Sequence, residues 1–190
     1  MYKLPAALAL RKVLDLDQAF LDALYASRRE DLRQMPMDAA FIAQMIKMQQ
    51  HVQMEGVRMN YPDAGHYLVE DAGLAVGRVI IDTGEADLRL LDIAIIPSAQ
   101  RQGIARAILQ AMQAEAQEQG KGIRLAVEQT NFAARGLYMQ LGFTVQSTDA
   151  LFDQMYWHDH AQTELRSNIL RAVMLSRVNV SHSGQADASN

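Results

Sequence analysis

A short turn between an apolar segment and a helix is the part of this sequence best suited to bind a phosphate. Residues 95–97 end a strand-like apolar run at a proline, and a helical pattern begins near Gly103. The first turn of a helix leaves backbone N–H groups unpaired and carries partial positive charge, so a pyrophosphate can bind there. Gly103 and Ala105 allow close approach to the backbone, and Arg101 and Arg106 add positive charge. Because the turn has the spacing of neither a P-loop nor a dinucleotide fingerprint, this pattern alone also fits a plain strand–helix connection.

A second set of polar residues follows later in the chain. Asn131 stands where another helical pattern begins, and Tyr138 lies within that helix. Asparagine commonly caps a helix by accepting a backbone hydrogen bond, so a cap is the simplest role for Asn131. Tyr138 lies beside Leu137 and Leu141 in the same helix, a place that suits a half-buried core residue.

Together these two segments resemble the motifs of the GNAT superfamily, whose members transfer an acetyl group from acetyl-coenzyme A (acetyl-CoA) to an amine. The first family motif, Gln/Arg-x-x-Gly-x-Gly/Ala, is met by Gln100, Gly103 and Ala105. The second is an apolar strand followed by Asn-x-x-Ala-x-x-Leu-Tyr-x-x-x-Gly-Phe. It is met by Asn131, Ala134, Leu137, Tyr138, Gly142 and Phe143. The resemblance covers residues 1–157 and leaves the rest of the chain unaccounted for.

The resemblance implies how acetyl-CoA is held. In the family, the strand before the first motif splays from its neighbour, and its backbone pairs with the pantetheine amides as an added strand does. The pyrophosphate binds to backbone N–H groups of the turn, and the asparagine contacts the cofactor arm. The implied cofactor-binding residues are Ile93, Ala94, Ile95, Arg101, Gln102, Gly103, Ile104, Ala105, Arg106 and Asn131. No metal is expected, because the histidines are scattered and the chain has no cysteine.

The resemblance also implies catalytic roles, with one departure from the family pattern. Tyr138 matches the tyrosine that protonates the leaving thiolate. The position that many relatives fill with a glutamate base is Arg89 here, and a guanidinium cannot accept a proton. Asp92, expected on the opposite face of the strand from Arg89 by two-residue alternation, and Glu128 on the next strand are the remaining candidates. Neither matches a family position, and many relatives deprotonate the amine through water, so a structural role is open for both.

The elements that position these residues follow the order β-α-α-β-β-β-α-β-α-β-β. Strands are predicted at residues 6–13, 66–70, 74–83, 88–96, 122–128, 143–148 and 151–157, and helices at 18–33, from 38, at 103–119 and at 131–141. Antiparallel hairpins around one β-α-β crossover predict an α/β fold with a mixed sheet covered by helices, as in GNAT-like proteins. The phosphate turn and the strand ending at Glu128 then meet at one end of the sheet, where such sheets bind ligands.

The residues expected to bind the amine acceptor say less about function. In the second helix the apolar stripe is expected to consist of Phe41, Met45, Met48 and Val52, with the two methionines in the core. Methionine also suits an adaptable groove for the acceptor. Asp149 and Asp153 are placed either to meet a cationic acceptor or as exposed residues of the C-terminal hairpin.

The composition indicates how many domains to expect and which classes of binding partner to exclude. The chain has 190 residues, of which 49% are hydrophobic, and a net charge of −4, and we expect one domain at residues 1–160. Because the chain has no cysteine, we expect neither disulfides nor thiolate chemistry. The net charge disfavours nucleic acid as a partner, and no apolar run approaches the ~20 residues of a membrane span. A cytoplasmic protein is the default expectation. A helix at 161–178 has an apolar face suited to a homodimer contact, and residues 179–190 are a predicted flexible tail.

These observations favour an enzyme that transfers an acetyl group from acetyl-CoA to a primary amine of a small molecule, peptide or protein. The reaction would be a direct attack in a ternary complex. The alternative is a non-catalytic sensor that binds acyl-CoA, which Arg89 favours and which Tyr138 and Asn131 disfavour. A transferase of a longer acyl group is a third possibility that the sequence leaves open.

Overall fold

A mixed sheet of seven strands organises the protein, for which the computed structural model describes residues 2–159. Its strands are β1 (Leu8–Lys12), β2 (Gly65–Asp71), β3 (Leu74–Thr83), β4 (Asp87–Ile95), β5 (Gly122–Glu128), β6 (Thr144–Thr148) and β7 (Phe152–Trp157). Its helices are α1 (Gln18–Ser27), α2 (Glu30–Arg33), α3 (Ala39–Asn60), α4 (Ile104–Gln119) and α5 (Phe132–Gln140). The strand order is β1-β2-β3-β4-β5-β7-β6, with β4 and β5 parallel and all other neighbours antiparallel. The predicted α/β class with a mixed sheet is confirmed.

Residues up to His158 form one compact unit. The helix predicted at 161–178 and the tail predicted at 179–190 lie outside the described residues. The division of the chain at residue 160 and the homodimer contact therefore stay predictions.

The first predicted helix, 18–33, is two helices in the structure. Helix α1 ends at Ser27, whose hydroxyl donates to the carbonyl of Leu24 at 2.8 Å. Such a side-chain bond competes with the backbone ladder and favours a helix end. Arg29 then leaves the helical region, with φ −109° and ψ 45°, before α2 begins at Glu30. The break places Arg28 at the end of α1, where its side chain reaches the sheet.

Two apolar clusters hold the helices in place. The larger joins the sheet to α4 and α5, and α4 contributes Ile104, Ile108, Leu109, Met112 and Ala116 to it. These positions recur at the spacing of one helix face, as expected for an amphipathic helix. The smaller cluster joins α1, α2 and α3 through Tyr25, Leu32, Ile42 and Ile46. Within residues 2–159, no helix combines the length and the apolar character needed to cross a bilayer.

Helix α3 buries a different face from the one predicted. The predicted stripe is largely exposed: Phe41 at 48%, Met48 at 60% and Val52 at 64%, while Met45 is half-buried. The buried face begins one residue later and contains Ile42, Ile46 and Gln50. Gln50 donates from its amide to Asp22 of α1 at 2.9 Å, so this polar residue is satisfied inside the contact. The prediction was wrong because α3 is apolar on two adjacent faces, and packing against Tyr25 and Leu32 selects the second.

An ion pair fixes α5 to the C-terminal hairpin. Arg135 of α5 lies 2.7 Å from Asp153 of β7, whose side chain is only 3% exposed, and Thr148 donates to the same carboxylate. Asp149 accepts hydrogen bonds from the backbone N–H groups of Leu151 and Phe152 and shapes the turn. Asp153 is therefore structural, and the expectations that it meets a cationic acceptor or is exposed are both wrong, whereas Asp149 is an exposed residue of the hairpin, as one of its two alternatives predicted.

Arg135→Met is expected to lower the free energy of unfolding by about 3 to 5 kcal/mol, because it leaves the Asp153 charge buried without its partner. Chemical denaturation measures this change. Arg58→Met is the matched control, since Arg58 and its partner Glu55 are exposed and such pairs contribute little. A similar loss of stability in both variants would contradict the structural role of the Arg135–Asp153 pair.

Candidate active site

The two parallel strands at the centre of the sheet separate halfway along their length. Their pairing runs from Asp87–Gly122 to Leu90–Leu125 and ends there, although β4 continues to Ile95 and β5 to Glu128. Beyond this point β4 pairs only with β3, and β5 pairs only with β7. Within residues 2–159 the facing edges of β4 and β5 thus carry backbone N–H and C=O groups without a strand partner. An extended amide chain can pair with such edges as an added strand.

An extra residue in β4 decides which side chains face this gap. The register against β3 passes from Asp92–Ile80 to Leu90–Ile81, so Leu91 is the extra residue of a β-bulge. A bulge shifts the following side chains to the other face of the strand. Asp92 consequently shares a face with Arg89. The prediction from two-residue alternation that they lie on opposite faces is wrong for this reason.

Asp92 is buried and held by two arginines. Arg78 of β3 donates to its Oδ2 through Nη2 at 2.7 Å and Nε at 3.1 Å, and Arg28 donates to Oδ1 at 3.0 Å. Charge-assisted bonds of this kind stabilise an ionised carboxylate and occupy both of its oxygens. The arrangement anchors the end of α1 to the sheet and leaves neither Asp92 oxygen without an arginine partner.

Tyr138 is buried on α5, with its ring 5.7 Å from that of Phe143. Burial above all, together with the negative charge of Asp92, raises the pKa of its phenol to about 12, and the positive charge of Arg28 opposes the rise. The phenol therefore stays protonated at neutral and mildly alkaline pH, as a proton donor must.

The predicted phosphate turn ends in two residues with positive φ. Arg101 has φ 64° and Gly103 has φ 84°, and α4 begins at the next residue, Ile104. The first intrahelical bond runs from Ala107 N–H to the Gly103 carbonyl, so the N–H groups of residues 104–106 precede it. A Cβ added at Gly103 would meet nothing within 4 Å, so the space beside the Gly103 backbone at the start of α4 is open.

Side-chain bonds hold the turn in this conformation. Gln100 donates to the carbonyl of Ile95 at 2.9 Å, and Gln102 donates to the carbonyl of Ser98 at 3.0 Å. Arg106 donates to Gln140 of α5, so its guanidinium ties the start of α4 to α5. Of the predicted phosphate ligands, the backbone groups are thus available, whereas the Gln102 and Arg106 side chains have structural partners.

Asn131 and Glu128 lie together at the end of β5. Asn131 caps α5 by accepting from Ala134 N–H at 3.1 Å, so the simplest role predicted for it is present. Glu128 is exposed on the face opposite the buried Leu125 and Val127, as expected. Because Arg124 is registered beside Arg89, alternation along β5 also places Glu128 on the face that carries Asp92. The two candidate bases thus flank the gap on one face.

The segment that forms this geometry matches a known protein family. Residues 62–145 match the family model described as an acetyltransferase (GNAT) domain. The matched segment contains the separating strands, the phosphate turn and α5. Over this segment the chain is therefore similar to GNAT acetyltransferases.

Solved structures share the fold of this chain beyond the matched segment. The N-acetyltransferase PaiA of Thermoplasma acidophilum, in complex with coenzyme A, is 17% identical with a TM-score of 0.60, over 80% of this chain and 99% of that one. The ribosomal L7/L12 alpha-N-protein acetyltransferase RimL, also bound to coenzyme A, is 16% identical with a TM-score of 0.59, over 83% and 97%. The ribosomal-protein-S18-alanine N-acetyltransferase of Escherichia coli is 19% identical with a TM-score of 0.53, over 78% and 90%. No curated protein matches the chain significantly.

Two polar residues near the candidate site were not predicted from the sequence. They belong to elements distant in the chain, and their spacing matches no motif. Arg28 reaches Asp92 across 64 residues of sequence. His66 of β2 is half-buried, and burial lowers its pKa, as does the charge of Arg78, while Asp92 acts in the opposite direction. Its imidazole is therefore neutral at pH 7. Within residues 2–159, no three His, Asp or Glu side chains group as ligands for a metal ion.

Proposed function

We propose that this protein transfers an acetyl group from acetyl-CoA to a primary amine of a small molecule, peptide or protein, by direct attack in a ternary complex. The observation that carries the proposal is the gap between β4 and β5, with the phosphate turn following β4 and Tyr138 close to the gap. The match to the GNAT domain supports it.

Acetyl-CoA fits the groups that surround the gap. The unpaired edge of residues 93–95 offers backbone partners for the two amides of the pantetheine arm. The pyrophosphate would lie before the N–H groups of residues 104–106, where Gly103 leaves open space and the α4 dipole favours negative charge. Asn131 can use its amide N–H groups for the cofactor, because its Oδ1 already caps α5.

The proposed chemistry needs a proton donor for sulfur and an acceptor for the amine proton. The amine nitrogen attacks the thioester carbonyl carbon, the C–N bond forms and the C–S bond breaks. Tyr138 donates its hydroxyl hydrogen to the sulfur as negative charge develops there, the proton that the amine loses passes to Glu128 or to water, and the Tyr138 phenolate then regains a proton from solvent. Because the pKa of Tyr138 is raised, the phenol keeps this hydrogen at neutral pH until the C–S bond breaks.

Glu128 is the better placed of the two candidate bases. Its carboxylate is exposed and forms no ion pair with the residues that the structure describes, so it can accept a proton directly or through water. Asp92 has both oxygens bound to arginines. We therefore assign proton acceptance to Glu128 and the positioning of α1 to Asp92.

Glu128→Gln is expected to lower kcat/KM at least about tenfold at neutral pH, with little change in acetyl-CoA affinity, because it removes the acceptor but keeps the shape. Steady-state kinetics with a fixed amine and calorimetry of acetyl-CoA measure the two quantities. Asp92→Asn is the companion variant, expected chiefly to lower the melting temperature by weakening the Arg28 and Arg78 contacts. An unchanged rate in Glu128→Gln would leave water as the proton acceptor.

The function itself is tested by acetyl-CoA binding followed by release of free coenzyme A in the presence of amines. The chain has no cysteine, so a thiol reagent reports only the coenzyme released. Micromolar binding with turnover of an amine supports the enzyme. Binding without turnover of any amine supports the alternative, an acyl-CoA sensor, which is favoured by the ion pair between Arg89 and Asp82 at the position where relatives carry a base.

A further inference from the structure

Two arginines stand side by side where the gap between β4 and β5 opens. Arg89 of β4 is registered directly beside Arg124 of β5, and the following pair, Leu90–Leu125, is the last before the strands part. Both side chains lie on the face of the sheet that carries Asp92 and Glu128. Like charges on neighbouring strands destabilise a sheet unless other groups compensate. We refer to Arg89 and Arg124 as the arginine pair.

Each member of the arginine pair rests on a buried carboxylate and an aromatic ring. Arg89 donates from Nη1 to Asp82 at 2.9 Å and lies over Tyr61, 5.7 Å from the ring centre. Arg124 donates from Nε to Asp87 at 2.6 Å and lies over the Tyr156 ring at 4.8 Å. The two aspartates are buried, whereas the arginine side chains are 42% and 54% exposed. The surface therefore presents guanidinium groups, with their counter-charges beneath them.

Most donors of the arginine pair have no protein partner. A guanidinium carries several N–H donors in a planar fork that matches a carboxylate or a phosphate. Arg89 donates to Asp82 only through Nη1, and Arg124 donates to Asp87 only through Nε. Both terminal nitrogens of Arg124 and Nη2 of Arg89 have no hydrogen-bond partner within residues 2–159. Two adjacent forks with spare donors form a site for an anion.

The backbone is shaped to hold these groups in place. A Cβ at Gly122 would overlap the Tyr156 ring, so only a glycine there lets the ring lie beneath Arg124. The Tyr156 hydroxyl also donates to Asp87 at 3.2 Å, which fixes the carboxylate that holds Arg124. The ring, the carboxylate and the guanidinium are thus one preorganised unit, in contrast to a mobile surface arginine.

We infer that the arginine pair binds a carboxylate or phosphate group of the amine acceptor, so that the preferred substrates are amines that carry a negative charge. This inference rests on the proposed acetyl transfer. Residue 92 lies three positions along β4 from Arg89, roughly 10 Å at the rise of a strand. Two residues of extended peptide span about 7 Å, so an acidic side chain next to a free N-terminus reaches the pair while the amine lies at the gap.

The test compares C-terminally amidated dipeptides that differ only in the charge of the second side chain. Ala-Glu, Ala-phosphoserine and Ala-Gln are used as acceptors, with kcat/KM from coenzyme A release and Kd from calorimetry on the protein saturated with coenzyme A. In the wild-type protein kcat/KM for a charged peptide is expected to exceed that for Ala-Gln at least about tenfold. The better of the two charged peptides then shows whether the pair takes a carboxylate or a phosphate.

Variants assign the preference to the arginine pair. Arg124→Gln combined with Asp87→Asn, and Arg89→Gln combined with Asp82→Asn, avoid an unpaired buried carboxylate and are each expected to reduce the preference to about threefold or less. Arg58→Gln, an exposed arginine on α3, is the matched control and keeps the full preference. Melting temperature and acetyl-CoA affinity confirm that the variants are folded and bind the cofactor.

The outcomes separate this inference from the proposed function. Turnover with equal kcat/KM and Kd for Ala-Glu, Ala-phosphoserine and Ala-Gln supports acetyl transfer and overturns the anion site. A charge preference in Kd that the arginine variants lose, without turnover of any peptide, supports the anion site and contradicts the enzyme. A preference that persists in both arginine variants, or no binding of any peptide, overturns the assignment.

Discussion

Gly103→Asp is expected to weaken acetyl-CoA binding by about 30- to 1000-fold, which corresponds to roughly 2 to 4 kcal/mol. The added carboxylate would project into the open space before α4, where the proposal places the pyrophosphate. Like charges at that distance repel strongly in a partly desolvated site. Calorimetric titration with acetyl-CoA measures the change in Kd.

The matched control is Gly103→Asn, which has the same shape without the charge. Both residues tolerate the left-handed conformation that φ 84° requires, so the backbone cost is similar in the two variants. Aspartate before a helix is also favourable for the helix, so a loss of affinity in Gly103→Asp would not reflect unfolding. Equal affinities in the two variants would show that no phosphate lies at the turn.

The order of the strands along the chain was predictable because the turns between them are marked in the sequence. Residues 71–73 and 84–86 separate three apolar runs, and the structure places β2, β3 and β4 on either side of them. Helix α4 is likewise bounded by Gly103 and Gly120, both in the left-handed conformation that glycine favours. Local chemistry sufficed for these elements, since each boundary depends on the residues at the boundary itself.

Features that depend on packing were not predictable in the same way. Nothing in the sequence marks Leu91 as a bulge, yet it turns Asp92 to the face of Arg89. The buried face of α3 was decided by Tyr25 and Leu32, which lie on other helices. The motif residues thus predicted where the candidate site lies, whereas the charged groups around it, Arg28 above all, depend on the tertiary fold.

Tyr138→Phe is expected to lower kcat by about 100- to 10,000-fold, the usual contribution of a general acid, while the Kd of acetyl-CoA changes less than about threefold. The ring and its contact with Phe143 are retained, so only the donor is lost. Because the pKa of the phenol is raised to about 12, it should not limit the rate below about pH 11. The pH profile of kcat for the wild-type protein should therefore show no loss due to this group between about pH 7 and about pH 10.

The raised pKa of Tyr138 also gives a second readout that does not depend on turnover. A phenol exposed in the unfolded chain ionises near pH 10, whereas in the folded protein it ionises near pH 12. The contribution of Tyr138 to stability is thus fully present below pH 10 and is lost as the pH rises towards 12, and Tyr138→Phe should remove that part of the dependence. Tyr2→Phe is the control, since burial also raises the pKa of Tyr2 to about 12, but its neighbours are Tyr67 and Glu115. If Tyr138→Phe and Tyr2→Phe reduce kcat equally, Tyr138 acts through stability and is not the proton donor.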